Sequence, residues 1–181
     1  MYSFDFDEKG FFIDDKREFL IGGEIAQFRV PKSEWKARMR LFKKAGGNTL
    51  TTSVAWSLHE PQEGNILFDD VEYRDLKDYL SLAEEEGLFV YLRLGPLIYT
   101  ELINGGIPPW LFAEYPQVKA RKADGTTIEQ LSYMHPVALE KFKKYYRALA
   151  EEIKPFLETA GGPVVLIQLD NELAGIHTWN G

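Results

Sequence analysis

Asp170, Asn171 and Glu172 follow directly on the apolar run Val164-Val165-Leu166-Ile167-Gln168-Leu169. Polar residues interrupt two other apolar runs in the same way. Trp56, His59 and Glu60 come after residues 48–55, and Tyr99 and Glu101 come after residues 88–94. A cluster of carboxylates beside aromatics and an amide suits sugar chemistry. Carboxylates accept hydroxyl protons, and aromatic faces pack on the apolar face of a pyranose. Cleaving a glycosidic bond takes two carboxyl groups. One protonates the leaving oxygen; the other attacks the anomeric carbon or activates water. Glu172 is the candidate general acid/base, because a carboxyl on a partly buried rim beside other carboxylates has its pKa raised by desolvation and like charge. Position alone gives equal weight to a surface Glu that caps the next helix. Asn171 is either a hydroxyl ligand or a turn residue. Glu101 is a hydroxyl ligand or a solvated loop charge, and Trp56 a sugar platform or a core Trp at a strand end. His59 fits a hydrogen-bonded structural histidine better than a ligand. Asp170 shares Glu172's side of an extended strand by alternation and could orient it. Arg29 and Arg93 are candidate partners for these carboxylates.

Elements must bring these residues together. Tyr2, Phe4 and Phe6 alternate with polar residues, and Phe11-Phe12-Ile13 begins a return strand, so residues 1–18 read as a β-hairpin with a second turn at Asp14-Asp15-Lys16-Arg17. Residues 19–26 read as a buried strand. Pro31 and Ser33 open a helix with Trp35, Met39 and Phe42 on one face, which Gly46-Gly47 stops. Residues 48–55 are β-branched and form a second strand. Leu76, Tyr79, Leu80 and Ala83 stripe a helix that Gly87 ends, and residues 88–94 form a third strand. The stretch from Gly95 to about His135 is irregular. Leu139, Phe142, Tyr146, Leu149, Ile153 and Phe156 stripe a long helix, Gly161-Gly162-Pro163 breaks it, and residues 164–169 are a fourth strand. The order βαβαβαβ with near-continuous apolar strands means a parallel sheet covered on both faces. An open doubly wound sheet and part of a (β/α)₈ barrel both fit, and both put functional groups at the carboxyl ends of strands. The chain stops just beyond strand four, where a whole barrel needs about 250 residues, so the reading is the first half of a barrel in residues 19–181.

Composition removes other classes. The 181 residues are 45% hydrophobic and carry 21 Lys and Arg against 28 Asp and Glu, a formal net charge of −7. A chain of this length can bury roughly 70% of its unfolded surface. Net negative charge argues against nucleic acid and anionic membrane as partners. The absence of cysteine removes disulfides, thiol nucleophiles and thiolate metal sites. The short apolar runs span no membrane, and the acidic start is unlike a secretory signal. A cytoplasmic protein is the expectation. No glycine pair makes a phosphate loop, and no GxSxG elbow occurs.

Several segments occur in an order that resembles the amino-terminal half of glycoside hydrolase family 35, the β-galactosidase family. They are residues 25–31 (Ile25 to Pro31), Trp56-Ser57-Leu58-His59-Glu60-Pro61, Arg93-Leu94-Gly95-Pro96, Glu101 followed by Gly105-Gly106-Ile107-Pro108-Pro109-Trp110-Leu111, and residues 161–172. The run from Gly161 to Glu172 is the most specific. The resemblance implies a (β/α)₈ barrel of the TIM type, about whose first four βα units this chain supplies, and a retaining mechanism without a cofactor or metal. It implies that Glu172 is the acid/base and that Asn171 and Glu101 bind the sugar. The nucleophile would be a glutamate on strand seven, beyond this chain, so the chain would be catalytically incomplete alone. The sequence also departs from the family pattern, and several departures fall in the subsite that recognises galactose. Ser53 stands where the family has tyrosine, Ala26-Gln27 where it has histidine–tyrosine, and Leu173 where tyrosine is frequent. Tyr99 and Thr100 replace the cysteine or asparagine and the alanine before Glu101. The expectation is therefore an exo-β-glycosidase on an oligosaccharide or β-glycoside substrate, with β-galactosides first and another β-sugar, such as glucosamine, left open. Homo-oligomerisation, or association with the missing carboxyl-terminal half, is the partner expectation. Two other readings stand below it: a metal-dependent sugar isomerase or hydrolase using His59, Glu101, Asp170 and Glu172, and a non-catalytic carbohydrate-binding fragment.

Overall fold

The alternation of apolar strands and amphipathic helices is realised in the computed structural model, which describes residues 3–172. Tyr2 and Leu173 of the sequence reading lie outside the described residues. In chain order the elements are β1 (Phe4–Asp7), β2 (Gly10–Ile13), β3 (Lys16–Glu18), β4 (Gly22–Glu24), α1 (Trp35–Lys44), β5 (Thr49–Ser53), α2 (Trp56–His59), α3 (Leu76–Glu85), β6 (Phe89–Arg93), α4 (Pro109–Glu114), β7 (Lys119–Arg121), β8 (Thr127–Leu131), α5 (Pro136–Ile153) and β9 (Val164–Gln168). The chain forms two compact units: residues up to Ser53 with Phe68–Arg93 and Glu151–Gln168, and Val54–Leu67 with Leu94–Ala150 and the residues from Leu169.

The first unit holds a parallel sheet in the order β4-β5-β6-β9. Every residue of β5 is buried, because a β-branched strand with neighbours on both sides has no wet face. β4 is the exception to the reading of 19–26 as a buried strand. Only three residues of it join the ladder, and Phe19 is 81% exposed, since an edge strand has one neighbour. Helix α1 buries Trp35 and Met39, and α3 buries Leu76, Tyr79, Leu80 and Ala83. Trp35 meets Tyr79 edge-on at 5.1 Å, a geometry the ring quadrupoles favour. Asp75 caps α3 by accepting from the Asp78 N–H at 3.0 Å. The acidic end of α3 is paired, Glu85 with Lys36 and Glu86 with Arg40.

The amino-terminal piece gains a strand over the expected hairpin. Asp14 and Asp15 both have positive φ, the signature of a two-residue hairpin turn, so Lys16 and Arg17 pair with β2 instead of turning. Arg17 then reaches Asp7 at 2.9 Å.

In the second unit the supposedly irregular stretch 95–135 contains α4 and an antiparallel β7-β8 hairpin. α5 buries Ala138, Phe142, Tyr145 and Leu149, a stripe rotated from the expected Leu139 and Tyr146. The rotation follows from Trp56, on which Tyr145 stacks at 5.4 Å. The helix stops before Pro155 and tightens into a short 3₁₀ turn. No helix among the described residues is long and apolar enough to cross a membrane.

Gly47 lies in the turn between α1 and β5, under the Phe42 ring. A Cβ there would lie 2.1 Å from the Phe42 ring, whereas at Gly22 the nearest atom would be 3.7 Å away. Gly47→Ala is expected to destabilise the fold by about 1–3 kcal/mol through overpacking. Gly22→Ala should be neutral or slightly stabilising, through loss of unfolded-chain entropy. Urea unfolding of the two variants checks both.

Candidate active site

The residues that follow β6 and β9 meet in the second unit. The Asp170 N–H donates to the Gly95 carbonyl at 2.6 Å. The Asp170 Oδ1 accepts from the Leu97 N–H at 3.1 Å and from the Tyr133 hydroxyl at 3.2 Å. The Tyr146 hydroxyl donates to the same Gly95 carbonyl. Asp170 is only 7% exposed. A carboxylate so enclosed is tolerable because its oxygen is hydrogen-bonded.

Beyond Leu97 the backbone turns left-handed. Tyr99, Thr100 and Glu101 have φ of 55°, 46° and 54°, and Asn104 follows at 53°. Each non-glycine residue in that region costs about 1 kcal/mol or more. The loop is held by Ile98 N–H donating to Gly105 O at 2.9 Å and Leu102 N–H to Tyr99 O at 3.0 Å. Gly105 admits Leu97: a Cβ there would stand 2.3 Å from its side chain.

The half-buried Tyr99 reports what lies around it. Burial raises its phenol pKa, and the charges of Glu172 and then Asp170 raise it further. Tyr133 is pushed up by burial, by the Asp170 charge and by its bond to that carboxylate. Tyr146 is pushed up by burial and then by Asp170. Phenols and carboxylates from the segments after β6, β8 and β9 thus share one electrostatic neighbourhood. Beside it, Leu97, Tyr99, Gly105, Phe112, Gln130 and Tyr133 line a cavity of about 190 Å³.

Several expectations change. Glu172 and Glu101 are exposed, and Asn171 is half-buried. The partly buried rim expected for Glu172 is occupied by Asp170 instead. The reason is local: β9 ends at Gln168 and Asp170 has φ 63°, so strand alternation stops before it could put both carboxylates on one side. Thr100 lies half-buried in the left-handed turn beside Tyr99. Trp56 is fully buried against Trp110, Phe142 and Tyr145, which leaves no ring face for a sugar. Its indole donates to the Glu60 carboxylate at 2.5 Å, and that carboxylate also accepts from Gly64 N–H. His59 is buried, with Nδ1 2.9 Å from the Leu67 carbonyl. Arg93 pairs with Glu24 at 3.4 Å, and Arg29 lies near the Phe28 ring. Among the described residues no three His, Asp or Glu side chains form a group that could hold a metal ion, so the metal reading has no donor cluster there. Tyr133 and Tyr146 escaped the sequence reading. One lies in a segment without periodicity and the other in an apolar stripe, where a phenol reads as packing.

Residues 10–179 match the profile of glycosyl hydrolases family 35. The chain is 37% identical to an exo-beta-D-glucosaminidase of Thermococcus kodakarensis over 93% of its own length, and 36% identical to beta-galactosidase-1-like protein 2 of Homo sapiens over 90%. It spans about 22% and 23% of those two relatives' lengths. Among solved structures it resembles a beta-galactosidase from the psychrophilic Marinomonas ef1, with a TM-score of 0.61 and 21% identity over 85% of this chain and 22% of that one. The fold is that of a (β/α)₈ barrel, of which the chain supplies part.

The buried phenols set an alkaline limit. Tyr133, Tyr145 and Tyr146 all have pKa values raised in the folded state, with burial the largest cause. A raised pKa contributes stability below the unfolded value, about 10 for tyrosine, and that stability is lost as pH rises above it. The melting temperature is therefore expected to hold to about pH 9.5 and fall steeply by pH 11. Tyr145→Phe should soften the fall. It should be neutral or stabilising at pH 7, because the buried Tyr145 hydroxyl has no hydrogen-bond partner among the described residues. Thermal melts across pH, followed by circular dichroism, check this.

Proposed function

This chain belongs to glycosyl hydrolases family 35, and on that premise we propose that it supplies the acid/base of a retaining exo-β-glycosidase. Glu172 gives its proton to the glycosidic oxygen as the bond from that oxygen to the anomeric carbon breaks. A second glutamate, outside these residues, forms the bond to that carbon, giving a covalent glycosyl-enzyme. Glu172, now a carboxylate, takes a proton from water, whose oxygen attacks the same carbon as its bond to the second glutamate breaks, which releases the sugar and restores both carboxyl groups. Asn171, Glu101 and the turn of Tyr99 and Thr100 bind sugar hydroxyls. The segment acts together with the remainder of its barrel, and no cofactor takes part.

The observation that carries the reading is the tie between two strand ends. Asp170, two residues before Glu172, bonds to Gly95 and Leu97 in the loop after β6, and the Glu172 charge adds to burial in raising the Tyr99 phenol pKa. Two strand ends therefore contribute to one spot, as a pyranose site requires. The sugar is a terminal β-linked galactose in the first reading. A β-linked glucosamine is the second, favoured by the names of two relatives, the exo-beta-D-glucosaminidases at 37% and 38% identity.

In the enzyme with its barrel complete, Glu172→Gln is expected to lower turnover of a methyl β-glycoside by about 10²–10⁴-fold. Wild-type turnover by that variant would refute the assignment. The ratio of kcat/KM for 4-nitrophenyl β-D-galactoside and 4-nitrophenyl β-D-glucosaminide decides the sugar.

A further inference from the structure

We propose that Asp170 is a positioning residue for the acid/base at Glu172, acting through the backbone of the loop after β6. The inference rests on the proposed role of Glu172 and deepens it. Asp170 itself is unsuited to chemistry on a substrate: it is 7% exposed, and its Oδ1 is engaged by the Leu97 N–H and the Tyr133 hydroxyl. What it does is fix a point. Its main chain is tied to the Gly95 carbonyl at 2.6 Å, a carbonyl that also accepts from Tyr146. Its side chain is tied to Leu97 two residues further along the same loop and to Tyr133 just beyond β8.

Glu172 is two residues from this point, and the chain reaches it through φ of 63° at Asp170 and 51° at Glu172. Left-handed backbone at non-glycine residues persists where surrounding contacts over-determine it. The bonds to Asp170 supply such contacts on one side of Glu172. On the other side of the site, the same residue ties down the start of the loop that carries Tyr99, Thr100 and Glu101. One buried carboxylate therefore sets the spacing between the acid and the loop facing it. Orientation runs through the main chain, not through contact between the two carboxylates. Misplacement of a catalytic group by about 1 Å can lower a rate by about 100-fold.

Leaving-group dependence separates positioning of the acid from general damage. A poor leaving group needs the proton and a good one does not, and kcat/KM reports the bond-breaking step. In the complete enzyme, kcat/KM is measured for a methyl and a 2,4-dinitrophenyl β-glycoside of the preferred sugar. Asp170→Ala should lose about 100-fold on the methyl glycoside and less than about threefold on the dinitrophenyl glycoside. Asp170→Asn retains an Oδ1 acceptor and should lose under about tenfold on the methyl glycoside. Tyr133→Phe removes one bond and should lose about tenfold, again with the dinitrophenyl substrate spared. Equal losses on the two substrates, or no loss on either, in the folded variants would overturn the proposal. If Asp170→Ala does not fold, Tyr133→Phe decides by the same criterion. Glu172→Gln is run alongside. If that variant lacks the leaving-group signature, it is the acid/base assignment that fails; if it has the signature and the Asp170 and Tyr133 variants lack it, only the positioning role fails.

Discussion

Ser53, Arg93 and Gln168 are register partners across three parallel strands. Strands β5, β6 and β9 therefore end at one level, and the chain continues from each end into a segment that carries polar residues. Parallel pairing imposes this, because it forces every carboxyl end to the same edge of the sheet. The burial of all five residues of β5 protects the register, since a slip by one residue would exchange its two faces. Chemistry concentrates after strand ends for a related reason. Within the strands the backbone is saturated with ladder bonds and the side chains are packed; only where the ladder stops can polar groups be presented without an unpaired neighbour.

The second unit answers a different demand. Its segments after β6 and β9 join no ladder among the described residues and are held by isolated main-chain bonds and by side chains. Asp170 takes the place of a ladder, accepting from one backbone amide and one phenol while its own amide donates to Gly95. The left-handed run from Tyr99 to Glu101 shows how much local conformational preference these ties override. The raised phenol pKa values of Tyr99, Tyr133 and Tyr146 share the same two causes, enclosure and a carboxylate close by. Glu101 and Glu172, two residues beyond Tyr99 and Asp170, are exposed.

What was legible in the sequence follows from these forces. The four apolar runs and the helices between them announce themselves, because burial on both faces demands continuous apolar residues and burial on one demands a stripe. β3 and the β7-β8 hairpin do not. β3 and β7 have three residues each, too short to show a period, Gln130 interrupts the apolar alternation of β8, and the pairing of β3 comes from the Asp14-Asp15 turn. At the site, the gathering of residues at strand ends was readable, and their depth was not. Asp170 and Trp56 both lie deeper than the sequence suggests: the acid lies inside and the platform candidate is packed away. The positive φ that turns Asp170 inward sits on a residue that carries no glycine-like warning, and the partners that fill Trp56's surroundings come from a helix more than 80 residues later in the chain.

The burial of Trp56 bears on how such a chain diversifies. Its ring is wedged among Trp110, Phe142 and Tyr145, and its indole is clasped by Glu60 four positions on. The stretch from Trp56 to Glu60 is a mortise that joints the scaffold. Change is therefore cheapest away from that joint, in the loops that follow the strands.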